Sequence, residues 1–242
     1  MSTITPEILE KLGTFDTPTI CNLIELFEVR PRHTGYIDAR IQACFPEMPP
    51  MVGFAATATF RSAGPPRGSD AYDALSAQVE SFAELSGPAV VVFQDLDDPP
   101  VAATFGEVMC TVYQAFGAVG LITSGAGRDL DQVRSLDFPT FTGGTICSHG
   151  YSHIPDVGVA VHVGGLMVYP NDLLHGDCNG VTNIPTGIAA KVADIGDEFV
   201  AAEGIILDAL RQGTSSIKLL QEARAEAHQR IEQLRRQVAR VK

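Results

Sequence analysis

Between residues 53 and 144 short apolar runs alternate with segments of helical period, and this alternation constrains the fold more than any other feature. "PAVVVFQD" (88–95) and "AVGLIT" (118–123) are apolar stretches of strand length bounded by turn residues, the pattern of buried strands. "GFAATATFR" (53–61) has a period of two and reads as a third strand. "AYDALSAQVESFAEL" (71–85), which Ser69 or Asp70 could cap, and "GEVMCTVYQAFG", bounded by Gly106 and Gly117, carry helical spacing. "DLDQVRSL" adds a brief helix and "FPTFTGG" re-enters the fold. Strands and helices in alternation predict an α/β or mixed α/β domain.

The flanking segments are less regular. Residues 17–28 read as a helix capped by Asp16 or Thr17, with Pro18 in its first turn. Residues 157–169 read as two strands joined at Gly164-Gly165. "PNDLLHGDCNGVTNIP" (170–185) reads as turn-rich, with a short strand at its end. Residues 186–211 look helical. After Gly213, Ser215 or Ser216 could cap a last helix running to about Val241. On it Ala227, Ile231, Leu234, Val238 and Val241 form a heptad-like seam. That seam should pack on the chain's own domain or on a neighbouring subunit.

Composition narrows the function classes. A chain of 242 residues with 45% hydrophobic and 19% charged residues can bury a core. No apolar run approaches the roughly 20 residues needed to span a bilayer. "MSTITPEILEKLG" lacks the basic start and apolar block of a signal peptide, so a cytoplasmic location is expected. The net charge of −12 argues against nucleic acid, while a locally positive pocket could still take a small anion. Five scattered cysteines without a CxxC pair support neither a disulfide framework nor a thiolate zinc site. The four lysines leave the strands without a candidate for Schiff-base chemistry. GxSxG, P-loop, HExxH and strand-to-helix GxGxxG patterns are absent.

Four segments could carry chemistry. In "TSGAGRDLDQ", Arg128 and Asp129 follow a buried strand directly. Adjacent side chains on a helix do not face each other, so a simple mutual salt bridge is not expected. Asp129 could be a helix N-cap and Arg128 a surface partner, or both could serve a ligand. The helix start at Gly106, Glu107, Val108 and Met109 offers unpaired amides at a positive dipole end. In "SHGYSHIPD", His149, Tyr151 and His153 would share a face if extended, either around a ligand or metal or as an ordinary solvated loop. His175 and Asp177 would also share a face, with turn chemistry as the other reading.

The succession "FGEVMCTVYQAFGAVGLITSGAGRDLDQVRSLDFPTF" and then "VGGLMVYPNDLLHGDCNGV" resembles the RraA-like family, over about residues 15–185. That family includes 4-hydroxy-4-methyl-2-oxoglutarate aldolases, which also decarboxylate oxaloacetate, and a regulator of ribonuclease E activity. The resemblance implies an α/β fold of the β/β/α swivelling type over residues 1–190, with a C-terminal helical extension over 191–242. It implies a homotrimer or homohexamer with sites between subunits. Asp129 would hold Mg²⁺ or Mn²⁺, Arg128 would contact a small 2-oxo acid, and the amides of Gly106 to Met109 would hold its carboxylate. His149, His153 and His175 are the candidates for moving protons. Ser124 and Gln132 depart from the aldolase pattern, which favours acids there. The implied activity is metal-dependent carbon–carbon cleavage through a pyruvate enolate. The alternatives are a non-catalytic regulator of a protein partner, or a lyase or hydratase acting on a sugar-derived acid.

Overall fold

The computed structural model describes residues 4–66, 71–211 and 216–239. The caps expected at Ser69 and Asp70, the break at Gly213, the alternative cap at Ser215 and the seam residue Val241 lie outside the described residues.

Two short helices open the chain, α1 (Pro6–Leu12) and α2 (Thr17–Glu25). The Asp16 carboxylate accepts the Thr19 amide at 2.9 Å, so α2 carries the cap and first-turn proline that its sequence predicts. It ends three residues earlier than expected, and Glu28 turns the chain at φ 51°. The helix α1 was not evident from sequence. Its seven residues are too few for a periodicity signal, and it is held by burying Leu12.

The alternating middle forms three consecutive strand–helix–strand units. Strands β2 (Met51–Phe60), β3 (Ala89–Asp95), β5 (Ala118–Thr123) and β7 (Thr140–Thr142) lie parallel and side by side. The connections carry α3 (Ala71–Glu80), α4 (Glu107–Ala115) and α5 (Leu130–Arg134). β1 (Gln42–Ala43) adds antiparallel to β7 at one edge. At the other edge β10 (Leu173–Asp177) pairs antiparallel with β2, and β11 (Gly180–Ile184) with β10. The sheet order is β1-β7-β5-β3-β2-β10-β11.

Strand β10 corrects the turn-rich reading of residues 170–185. All five of its residues are buried between two partner strands, and turns flank it at Pro170-Asn171, where Asn171 has φ 67°, and at Cys178-Asn179. The small hairpin β8 (Val161–Val163) and β9 (Leu166–Val168) turns at Gly164-Gly165 as expected, with φ of 50° and 81°.

Apolar side chains cover the sheet on both faces. α3, α4 and α5 supply Leu75, Cys110, Tyr113 and Val133 to one layer, packed on Val91, Phe93 and Leu121. The β8–β9 hairpin closes the opposite face over Val90, Val92 and Ile122. At the β2–β10 end, α1 and α2 pack with α6 (Ala189–Arg211) and α7 (Ile217–Ala239). Ser216 caps α7, its hydroxyl accepting the Leu219 amide at 3.1 Å. Of the described seam, Ala227, Leu234 and Val238 are buried and Ile231 is partly buried within the same chain. All five cysteines are free thiols. No helix among the described residues is long and apolar enough to cross a membrane.

Candidate active site

A small parallel pair of strands assembles the site. β4 (Ala103–Phe105) leads into α4, and β6 (Ala126–Gly127) follows β5; the two pair with Phe105 opposite Gly127. The Arg128 amide then donates to the Phe105 carbonyl at 3.0 Å. This pairing puts the start of α4 beside the Arg-Asp motif although 22 residues separate Glu107 from Asp129. A Cβ at Gly127 would collide with the Phe105 ring. A Cβ at Gly106 would lie 2.5 Å from Asp129 Oδ2 and 3.1 Å from Arg128 Cγ and Nε. These glycines admit the protein's own side chains to the backbone, because the two segments pack directly against each other.

Asp129 holds the N-cap position of α5, as its sequence suggests, yet its carboxylate does not cap that helix. Its backbone is left-handed, with φ 54° and ψ 38°, a conformation Asp tolerates better than most residues. Its Oδ2 accepts the Glu107 amide, the first of α4, at 3.2 Å, so the carboxylate serves the positive end of the neighbouring helix. Arg128 Nε lies 3.6 Å from the same oxygen. The expectation of no mutual contact fails because Arg128 lies outside the helix and the left-handed turn at Asp129 removes the geometry on which it rested. Both side chains remain about one third exposed, at 34% and 38%. Helix geometry leaves the Val108 and Met109 amides without an intrahelical partner, and the Glu107 side chain points to solvent.

A cavity of about 320 Å³ opens here, lined by Gly106, Val108, Met109, Arg128, His149 and His153 among others. The histidine segment is not extended as assumed; it turns, with the Ser152 amide on the His149 carbonyl at 3.2 Å. His149, Tyr151 and His153 still all line the cavity. His149 Nδ1 lies 2.8 Å from the Gly150 carbonyl, and His153 Nδ1 2.8 Å from the Tyr151 carbonyl. A carbonyl only accepts, so each Nδ1 carries a proton, which leaves Nε2 of each ring, without a hydrogen-bond partner among the described residues, as the nitrogen that can exchange one. Asp156 is held by Thr59, whose hydroxyl donates to it at 3.1 Å.

His175 does not join this site. It is 0% exposed on β10, with Nδ1 3.0 Å from the Thr17 hydroxyl and Nε2 3.2 Å from the Leu12 carbonyl. Neighbouring Asp177 accepts the Thr17 amide at 2.9 Å and the Asn179 amide at 2.8 Å. The alternation that puts both on one face of β10 aims them at the helix ends of α1 and α2 instead of at the cavity. Ser124 is likewise structural: its hydroxyl accepts the Asp95 amide at 2.9 Å. Gln132 is exposed.

Asp95 was missed by sequence reading. It ends β3, is only 8% exposed, and its Oδ2 has no hydrogen-bond partner among the described residues. Burial pushes its carboxyl up to about 6. The only sequence signal was an acid closing an apolar run. Because the folded form holds its proton more tightly than the unfolded chain, its ionisation costs stability as pH rises from about 4 through 6. Asp95→Asn keeps the Oδ1 that accepts the Asp97 amide at 3.0 Å. The variant should gain up to roughly 3 kcal/mol in denaturant unfolding at pH 8 and almost nothing at pH 3.5. Equal gains at both pH values would exclude ionisation as the cause.

A family model described as RraA-like, Aldolase/RraA, matches residues 17–182, well over half of the chain. The chain belongs to the RraA-like family. A putative 4-hydroxy-4-methyl-2-oxoglutarate aldolase of Halalkalibacterium halodurans is 32% identical over 103 residues, 42% of this chain and 49% of that protein. An uncharacterised protein of Methanocaldococcus jannaschii is 35% identical over 69 residues, 28% and 33% of the two chains. The matches thus span about half and a third of these relatives. Among solved structures, an uncharacterised protein of Pseudomonas syringae superposes with a TM-score of 0.72 at 21% identity, covering 93% of this chain and 95% of that one. The Streptomyces coelicolor RraAS2 protein, an unusual member of the RNase ES inhibitor RraA family, gives 0.66 at 22%, covering 84% and 97%. These two likenesses establish the RraA-like fold.

Proposed function

We propose that this RraA-like protein is a lyase that cleaves a carbon–carbon bond of a small 2-oxo acid, by retro-aldol reaction, oxaloacetate-type decarboxylation or both. The observation that carries the reading is the convergence of Arg128 and the open amides of α4 on one cavity that also holds two histidines, with the Asp129 carboxylate on the first amide of the same helix.

The chemistry requires that a substrate carboxylate be held while negative charge moves onto the 2-oxo oxygen. Arg128 supplies a planar, permanently charged donor for the carboxylate. The Val108 and Met109 amides add donors at a helix N-terminus, where the dipole favours an anion. These groups stand preorganised, so they need not reorient as charge develops. The free Nε2 of His149 or His153 can accept the proton of a 4-hydroxyl and later return it.

The donors at Asp129 suit Mg²⁺ or Mn²⁺ held largely through water. The side chain is an exposed hard carboxylate, and Mg²⁺ commonly uses one or two carboxylates plus water and substrate. No cluster of three or more His, Cys, Asp or Glu among the described residues forms a cage, which argues against a zinc-type centre. When bound, such a cation would supply positive charge at the oxygens of the developing enolate. Large apolar side chains that line the cavity stay exposed, at Val108 and Tyr151, which supports the homotrimer or homohexamer that the family resemblance implies. Asp129 favours a catalytic role over that of a pure regulator.

The test is pyruvate release from oxaloacetate with added Mg²⁺ or Mn²⁺, measured against metal alone because the ion itself promotes the decarboxylation. Protein should accelerate release above that blank, and EDTA should remove the gain. A rate equal to the blank with both metals would sink this activity.

A further inference from the structure

The C-terminal hairpin carries an apolar stripe that outruns the domain beneath it. Its helices, α6 and α7, lie beyond residue 182, where the family match ends. We propose that the outer end of this hairpin docks on the same surface of a second copy of the chain, the two copies being related by a two-fold axis. Its residues are not those of the candidate site, and the pairing holds whatever reaction that site performs.

Val192, Gly196, Phe199, Glu203, Leu207 and Leu210 recur on α6 at steps of three and four, so they form one stripe along the helix. The first half of the stripe packs on the domain. Val192 and Phe199 are buried with residues of α1 and α2, and a Cβ at Gly196 would collide with the Phe15 ring. Glu203 reaches Asn22 of α2 and marks the edge of that support. Ala202 is the last buried residue of α6, and Ala223 is the first of α7. Leu207 and Leu210 continue the stripe at 51% and 37% exposure, and Ile217 on α7 is 72% exposed. The last turns of α6, from Glu203 to Arg211, thus project by roughly 13 Å with aliphatic side chains in water.

Two features favour a second copy as the occupant. The segments of this sequence that adjoin the hairpin outside the described residues are polar: 212–215 reads Gln-Gly-Thr-Ser and 240–242 reads Arg-Val-Lys. They offer no aliphatic run to cover Leu207 and Leu210. Charge then selects the partner. α6 carries five acids against two bases, a net −3, and α7 carries five bases against three acids, a net +2. A two-fold axis that lays α6 of one copy along α7 of the other brings opposite charges together around an apolar centre. Within the outer end the charges are already balanced, with Asp208 3.9 Å from Arg211 and Lys218 3.8 Å from Glu222. Contact there avoids the repulsion that two copies of net charge −12 meet elsewhere. A hairpin end of this length presents less than the roughly 800 Å² per partner of a standard interface, so the pairing should be weak and concentration-dependent.

Sedimentation equilibrium on the full chain, from about 1 to 100 µM, reads the contact directly. At the upper end the wild type should have about twice the mass of Leu207→Glu/Leu210→Glu, whatever assembly the other surfaces build. Leu207→Met/Leu210→Met keeps an apolar surface of similar volume and should keep the wild-type mass. Equal masses for the wild type and the glutamate variant overturn the inference, and so does a methionine variant that also halves the mass. Both positions are exposed, so the midpoint of thermal unfolding should hold. If the glutamates lower it, Ile217→Lys carries the same comparison at a position with no packing to lose. Capture of the wild type but not of the glutamate variant by phosphatidylcholine vesicles, with no difference in mass, would assign the surface to lipid and overturn the pairing.

Discussion

Asp129→Asn should abolish the acceleration of pyruvate release by Mg²⁺ or Mn²⁺ while leaving the fold intact. Asparagine tolerates the left-handed backbone at this position, and its carbonyl can still accept the Glu107 amide now held at 3.2 Å. What it removes is the negative charge that would attract a divalent cation. Arg128→Ala should act differently. It deletes the permanent charge facing the substrate carboxylate, and kcat/KM should fall on the order of a thousandfold, the scale seen when a preorganised donor is lost. Arg128→Lys should recover only part of this, because an ammonium cannot supply a planar pair of donors. Both side chains are about one third exposed, so none of these changes opens a core cavity. Thermal unfolding monitored by circular dichroism should move little. Full metal-stimulated turnover in Asp129→Asn, or in Arg128→Ala, would remove the pair from the mechanism.

The second large effect concerns stability. His175 is buried between the Thr17 hydroxyl and the Leu12 carbonyl. The carbonyl fixes a proton on Nε2, so Nδ1 must accept from Thr17, and the ring is neutral. Burial holds its pKa below the ordinary value of 6.5. His175→Ala would leave a cavity and two unpaired polar groups where the end of α1, the start of α2 and β10 meet. About 3–5 kcal/mol of stability should be lost in denaturant unfolding. The sign of the pH effect follows from the same shift. Below pH 6.5 the unfolded chain takes up a proton on this residue before the folded protein does, so the contribution is complete above pH 6.5 and declines as pH falls below it. The wild-type melting temperature should therefore drop between pH 7 and 5, and a His175→Gln variant should show less of that drop. If His175→Ala kept its stability and lost turnover, the catalytic role suggested by the sequence would be restored.

Much of the fold was legible because its signals are local. The apolar runs at 88–95 and 118–123 are short, uninterrupted and bounded by turn residues, and they form β3 and β5. Asp16 and Ser216 each stand three residues before the amide they cap. Strand β10 was not legible, because "LLHGD" mixes apolar and turn-forming residues and becomes a strand only when β2 and β11 satisfy its backbone from both sides. Asp95 looked like an ordinary strand end. Its unpartnered oxygen and raised pKa arise from what packs around it, which spacing does not encode.

The sequence by itself determined the class of the domain, the positions of its central strands and helices, and the two segments that could bind an anion, at Gly106–Met109 and at Arg128–Asp129. Period, capping and turn preference are set by neighbours within a few residues, so they can be read along the chain. Only the tertiary structure decided that these segments meet. That depended on β4 pairing with β6 across an intervening helix and strand. It also decided that the Asp129 carboxylate turns to α4, that His149 and His153 line the cavity, and that His175 is locked away from it. Those outcomes follow from long-range hydrogen bonding and burial, whose energies depend on residues distant in sequence and close in space.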